Sequence, residues 1–298
     1  MVNINNKVLD QHIILKKYIN EKEHREIKEL EDICIKEDKV NLKLELEYRT
    51  QIYKDYEKSL NDVNEFLYYI NDDLIGYIGI SSFGANVAEI NGIVHPSFRR
   101  RGIFAKLIKL VIDECKKRNF NEILLLCDDK STSAIEFIKN TEAIYSFSEC
   151  RMKCLNYDIR ENNKDISLVK CKNEDIDQVE NLNKVFFGYV SSELILPEDE
   201  EKNNTITYLI QLYKKTIGKI KVSKDKNTAF ISGFGIIPEL RGKGYGRQTL
   251  MEVLSNLNKE CIYDVELDVE VKNKNALNLY KSCGFKEESV MNYYKVNI

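Results

Sequence analysis

The chain has no tryptophan, only three prolines and only three histidines in 298 residues. With His12, His24 and His95 as the sole imidazoles and no CxxC pair, no zinc or other metal centre is expected. Eight cysteines are too sparse for a disulfide scaffold, and the nearest two, Cys150 and Cys154, are wrongly spaced for a metal knuckle. No apolar run approaches the roughly 18 residues of a spanning helix, so no membrane partner is expected. The opening stretch, MVNINNKVLDQHIILKKYIN, lacks a basic segment leading into an apolar one. The expectation is a soluble cytoplasmic protein with reduced thiols. One-sided charge is missing too: 45 basic and 48 acidic residues leave −3, without the basic excess of a nucleic-acid binder. At 43% hydrophobic and 31% charged residues, wholesale disorder is excluded.

What is present is a repeat. The length suggests two domains at about 150 residues each, and IVHPSFRRRGIFAKLI in the first half has a counterpart in IIPELRGKGYGRQTL in the second. Pro96 and Pro238 lie 142 residues apart, and the same offset carries Arg99 onto Arg241, Gly102 onto Gly244, Leu125 onto Leu267 and Ala134 onto Ala276. One offset held over several motifs indicates duplicated domains. They are read as 1–155 and 166–298, with the seam in the polar stretch from Asn156 to Asp165.

Both halves give one element order. In the second, TITYLIQLY, TIGKIKVS and NTAFISGFGII read as a three-strand meander. A glycine-rich turn follows, then a helix to Lys259 with Leu250, Val253, Leu254 and Leu257 on one face. The strand IYDVELDVEV alternates an apolar face with an acidic one, and a helix from Asn275 to Ser282 precedes Gly284. The first half repeats this with LYYIND, LIGYIGIS, NVAEINGIV, a helix to Arg118, EILLLC and a helix from Ser133 to Asn140. Residues 1 to about 60 read as extra amphipathic helices around Ile13, Ile14, Ile27, Leu30, Ile33 and Ile35. The fold class is α+β, built on a mixed sheet.

The chemistry centres on Arg241-Gly242-Lys243-Gly244-Tyr245-Gly246-Arg247, between a strand and a helix. Glycines allow a tight turn and close backbone approach, and a helix start offers unpaired N–H groups and a positive dipole end, which suits a diphosphate. Arg241, Lys243 and Arg247 add charge. The loop follows the third strand of a meander, so it is neither a dinucleotide fingerprint nor a P-loop, both of which need a βαβ context. This arrangement resembles the GNAT superfamily of acetyl-coenzyme A dependent N-acetyltransferases, whose loop reads Q/R-x-x-G-x-G/A. Asn273-Lys274-Asn275-Ala276-Leu277-Asn278-Leu279-Tyr280, followed by Gly284-Phe285, is similar to that family's second signature.

The resemblance implies two GNAT-like domains, each a mostly antiparallel sheet flanked by helices. It also implies acetyl transfer from acetyl-CoA, as co-substrate, to a primary amine by direct attack in a ternary complex. The strand ending at Ile236 and Ile237 would polarise the thioester and pair with pantetheine, the amides from Arg241 to Arg247 would hold the pyrophosphate, Asn273 would reach the pantetheine arm and Tyr280 would protonate the leaving thiolate. From the acidic strand face of Glu266, Asp268 and Glu270, Asp268 is the candidate general base, with Ser232 as an alternative relay. The first half departs from the pattern. At the 142 offset Gly246 becomes Phe104, Asn273 becomes Ser131, Tyr280 becomes Ile138 and Gly284-Phe285 becomes Glu142-Ala143. A second cofactor site around Val94, Arg99, Arg100, Arg101 and Gly102 is conceivable, with His95 nearby.

Three readings stay open: catalysis in the C-terminal half, a non-catalytic acyl-CoA sensor, and catalysis in the N-terminal half. The acceptor is a small-molecule or peptide amine. The acidic run with Glu193 and Glu198 to Glu201 hints that a cationic one is drawn in. The residues fix no oligomeric state.

Overall fold

Alternating strands and one-faced helices settle into two units. A computed structural model describes residues 10–46, 49, 62–82, 86–155, 165–188 and 195–296. In chain order the elements are β1 (Gln11–Lys16), α1 (Glu21–Asp38), β2 (Glu65–Ile70), β3 (Asp73–Ser81), β4 (Val87–Val94), α2 (Ile103–Lys117), β5 (Glu122–Asp128), α3 (Thr132–Lys139) and β6 (Ile144–Leu155). There follow β7 (Ile166–Lys170), α4 (Ile176–Phe187), α5 (Pro197–Lys202), β8 (Thr205–Leu212), β9 (Lys215–Asp225), β10 (Thr228–Ile236), α6 (Tyr245–Lys259), β11 (Asp264–Glu270), α7 (Lys274–Ser282) and β12 (Lys286–Val296).

The first unit comprises residues 1–146 and 292–298. Its strand order is β1-β2-β3-β4-β5 and then the end of β12; β1 to β4 pair antiparallel, and β4 pairs β5 in parallel. Ile78, Ile90, Leu107, Val111 and Ile123 form its core, where the apolar stripe of α2 lies on the sheet. Tyr294 and Val296 of β12 pack against that core, and Lys295 pairs with Glu122 at 3.4 Å. One expectation fails here. Ile13 and Ile14 belong to β1, because this stretch pairs residue by residue with β2 from Gln11 opposite Ile70 to Lys16 opposite Glu65. Of the extra helices, α1 is present, opened by a capping box between Asn20 and Glu23 and burying Ile27, Leu30 and Cys34, while Ile33 faces out.

The second unit comprises residues 147–291. Its order is β6-β11-β10-β9-β8-β7, antiparallel except for β10 beside β11. Along β11, Val265, Leu267 and Val269 are buried against Leu250, Leu254 and Leu257 of α6, while the acidic residues between them point to the other face. Both units meet the expected plan of a mostly antiparallel sheet with flanking helices. The units do not coincide with the repeats in the sequence. From Phe147 onward β6 runs beside β11, from Asp264 opposite Leu155 to Glu270 opposite Glu149, while the chain after Asn292 belongs to the first unit. Each unit therefore takes its sixth strand from the other sequence half. Most of the expected seam, 156–164, lies outside the described residues. Among the described residues no helix is long and apolar enough to cross a membrane.

Candidate active site

In the second unit β10 and β11 run together only from Thr228 opposite Asp264 to Ile231 opposite Leu267, then part. On its other edge β10 pairs with β9 but carries one extra residue: Ser232 faces Lys221 and Gly235 faces Lys219, so Gly233 and Phe234 oppose Ile220 alone. Gly233 takes φ +54°, a left-handed geometry that glycine adopts without strain. Beyond this bulge the Ile237 amide bonds the Ile217 carbonyl at 2.9 Å. Since N–H groups alternate along a strand, the Ile236 amide faces the parted edge, where β11 offers no partner. The Ile236 carbonyl on that edge accepts from Arg241 Nε at 2.8 Å.

The loop then turns through Gly242 (φ +74°) and Gly244 (φ +84°), and a Cβ at either would meet nothing within 4 Å. Gly244 is the N-cap of α6 and no side chain caps the helix. The first intrahelical bond is Gln248 N–H to Gly244 O, so the amides of Tyr245, Gly246 and Arg247 have no acceptor within the helix. This is a cradle of backbone donors shaped for an anion. The Arg247 side chain, expected to add charge there, instead bonds the carbonyl and hydroxyl of Ser282 at the end of α7. Asn273 caps α7, its Oδ1 accepting from the Ala276 amide at 3.2 Å. Tyr280 stacks edge-on to Phe285, with its ring buried. Burial, with a smaller push from Cys283, takes its hydroxyl up to about 12, so it keeps its proton at neutral pH.

Asp268 is placed differently from expectation. Arg151 of β6 binds it through Nε at 2.5 Å and Nη2 at 3.1 Å and reaches Glu266 at 2.9 Å, while Lys153 bridges Glu266 and Asp264. The acidic face of β11 is thus covered by cations of β6, a strand that the sequence left without a role. A residue that the sequence missed is Lys219 of β9. It is 3% exposed, and among the described residues its ammonium has neither a hydrogen bond nor an ion pair. Its Nζ would lie 3.0 Å from a Cβ placed on Gly233, which puts it against the bulge, and the Phe187 ring lies 5.5 Å away. Burial, reinforced by Lys221, lowers it to about 8. In TIGKIKVS it reads as an ordinary outward lysine; only the cover of α4 and α5 buries it.

The first unit repeats this frame, and its β4 and β5 likewise run together only from Val87 opposite Glu122 to Ile90 opposite Leu125 before parting. Arg100 (φ +64°) and Gly102 (φ +79°) reproduce the loop backbone, but β4 meets β3 from Val94 to Glu89 without a bulge. Arg99 bonds the Val94 carbonyl at 3.1 Å and grips Asp38 of α1 at 2.8 and 2.6 Å. Arg100 reaches Glu136, Arg101 bonds the Ser97 carbonyl, and His95 accepts from the Ser97 amide. Phe104 lies edge-on to Phe137, and Ile138 stands where the second unit has Tyr280.

Among solved structures, a GCN5-related N-acetyltransferase from Sphaerobacter thermophilus superposes with a TM-score of 0.76 at 17% identity, covering 95% of either chain. A tandem GNAT protein from the clavulanic acid biosynthesis pathway gives 0.64 at 14% identity, over 96% of this chain and 98% of that one. A GCN5-related glucosamine N-acetyltransferase region in a fungal multi-domain β-N-acetylglucosaminidase gives 0.69 at 12% identity, over 98% of this chain and 39% of that one. At these identities the likeness speaks for the fold. No curated protein matches the sequence significantly. The model of the acetyltransferase (GNAT) family matches twice, at residues 27–141 and 176–285, and these stretches together span most of the chain. The chain therefore belongs to the GNAT acetyltransferases as a tandem of two such domains.

Proposed function

We propose that the protein transfers an acetyl group from acetyl-CoA to a primary amine, with chemistry confined to the second unit. The observation that carries this reading is the bulge at Gly233 and Phe234, beside a parted strand pair, with no counterpart in β4. Amides from Tyr245 to Arg247, with Lys243, hold the pyrophosphate, and the free edge of β10 pairs with pantetheine. The Ile236 N–H donates to the thioester oxygen as the amine attacks its carbon, stabilising the negative charge that grows there. When the tetrahedral adduct collapses, the C–S bond breaks and the Tyr280 hydroxyl gives its proton to the departing sulfur, while the proton shed by the acylated nitrogen returns through solvent to the phenolate. The burial that makes this phenol a weak acid also raises the basicity of a thiolate emerging beside it. Asn273 Nδ2, unused in the cap, is left for the pantetheine arm. Asp268 anchors Arg151 and is assigned no proton transfer. The first unit, with Phe104 and Ile138 in place of Gly246 and Tyr280, is a structural partner that binds no acetyl-CoA.

Calorimetric titration with acetyl-CoA tests the assignment. One site is expected, lost in Gly244→Asp, where a carboxylate and a strained φ face the phosphates, and retained in Gly102→Asp. Two sites, or one surviving Gly244→Asp, would move the cofactor to the first unit. Tyr280→Phe should bind acetyl-CoA normally while thiol release falls by about 100-fold; an unchanged rate would remove Tyr280 as the acid.

A further inference from the structure

The reading above leaves the acceptor open, and the surroundings of Lys219 narrow it. Lys221 and Glu200 neutralise each other at 2.5 Å, and Glu200 also accepts from Thr207 at 3.5 Å. Glu200 and, more weakly, Glu180 of α4 act on Lys219 from a distance, but among the described residues no carboxylate is in ion-pair contact with its ammonium. Its walls are apolar: Phe187 lies by the ammonium, and Phe186 packs so close to Gly235 that no Cβ fits there. An ammonium held largely out of water with no carboxylate in contact is costly. The other acids of the run are engaged elsewhere, Glu198 with Asn173, Asp199 with Lys202 and Glu201 with Lys170, while Glu193 lies outside the described residues.

The first unit shows the same place with its charges balanced. At the 142 offset Lys219 corresponds to Tyr77 and Thr207 to Glu65. The Tyr77 hydroxyl donates to Glu65 at 2.6 Å, and Arg49 donates to Glu65 at 2.9 Å, to Ser81 at 2.7 Å and to the Leu44 carbonyl at 2.8 Å. There the protein supplies its own carboxylate. In the second unit threonine stands in its place, and the neighbouring carboxylate, Glu200, is engaged by Lys221 and Thr207 and not by Lys219.

We infer that Lys219 receives a carboxylate carried by the acceptor, so that the substrates are amino acids or other carboxylate-bearing amines rather than polyamines or aminoglycosides. This rests on the second unit being the acetyl-transfer site, since only there does the vacant counter-ion position adjoin the bulge. Lys219 is then a specificity residue: it holds the far end of the acceptor while the amine reaches the thioester.

The test uses the full chain and matched acceptors: glycine with glycinamide, L-lysine with cadaverine, and 4-aminobutyrate with butylamine. Thiol release from acetyl-CoA and calorimetric binding to CoA-saturated protein are both measured. At least one acid should be bound or used about 10- to 100-fold better than its neutral partner, the value of one charge-assisted hydrogen bond. Lys219→Met should raise KM for that acid by a similar factor, with a far smaller change in kcat, and collapse the preference; Lys219→Arg should restore most of it. Equal use of acid and neutral partners, no binding of any acid, or a preference unchanged in Lys219→Met would overturn the inference. So would loss of kcat for every acceptor with KM unchanged, which would make Lys219 a proton acceptor. Acetyl-CoA binding is followed separately: its absence defeats the acetyl-transfer reading, whereas intact binding without acid preference defeats the Lys219 inference alone.

Discussion

At the scale of single residues, an ammonium without a partner should leave a mark on stability. Burial, and after it Lys221 on the same strand, lower Lys219 from 10.5 to about 8, with Glu200 of α5, Cys171 and Glu180 of α4 opposing the shift. Below pH 8 both folded and unfolded chains hold the proton and the full penalty stands. Between pH 8 and 10.5 the folded chain releases it first, so stability rises with pH, and above 10.5 the penalty is gone. Lys219→Met should therefore stabilise the protein at pH 7 by about 3 kcal/mol, with the advantage fading by pH 10. Urea midpoints of the two proteins across this range check it, and a constant gap would mean that the lysine is already paired. Tyr280, Asn273 and the glycines of the loop were legible in the sequence because each belongs to a local motif. Lys219 was not, since the helices that bury it lie elsewhere in the chain. The ion pair of Asp268 was hidden for the same reason: Arg151 reaches it from a strand 117 positions away in sequence.

At the scale of elements, the two copies place one aromatic ring on opposite partners. In the second unit Phe234 of β10 lies 3.7 Å from a Cβ on Gly246 of α6; in the first, Phe104 of α2 lies 3.0 Å from a Cβ on Gly92 of β4. Two rings do not fit. Gly246→Phe should thus lose about 1–3 kcal/mol by overpacking against Leu279 and Phe234. Adding Phe234→Gly should recover most of that stability while leaving acetyl-CoA binding abolished, because the ring then covers the helix start as in the first unit. Thermal melting and calorimetry separate these effects; a double variant that binds normally would show that Phe104 is no barrier. The strands of each meander were readable from their alternation and turns. The bulge was not, because an extra residue exists only relative to the strand it pairs with. β1 was taken for helix because Ile13 and Ile14 are adjacent, and only its pairing with β2 decides between periods.

At the scale of the whole molecule, the duplication was plain from one constant offset, whereas the exchange of last strands left no trace in it. Similarity between repeats records ancestry and does not say which sheet a terminal strand joins. A piece spanning 166–298 lacks β6 and with it Cys150, Met152 and Cys154 of the second core, while 147–291 contains that unit entire. The first piece should show no cooperative thermal transition and the second should; equal melting of both would mean that β6 is dispensable. The exchange also bears on how the protein comes off the ribosome. Domains usually mature in the order they are synthesised, but here residues 292–296 complete a sheet begun near residue 11, so the earliest-made unit waits with an open edge until the later one has been translated. Such an edge is a template for stray pairing until the last strand arrives to cover it.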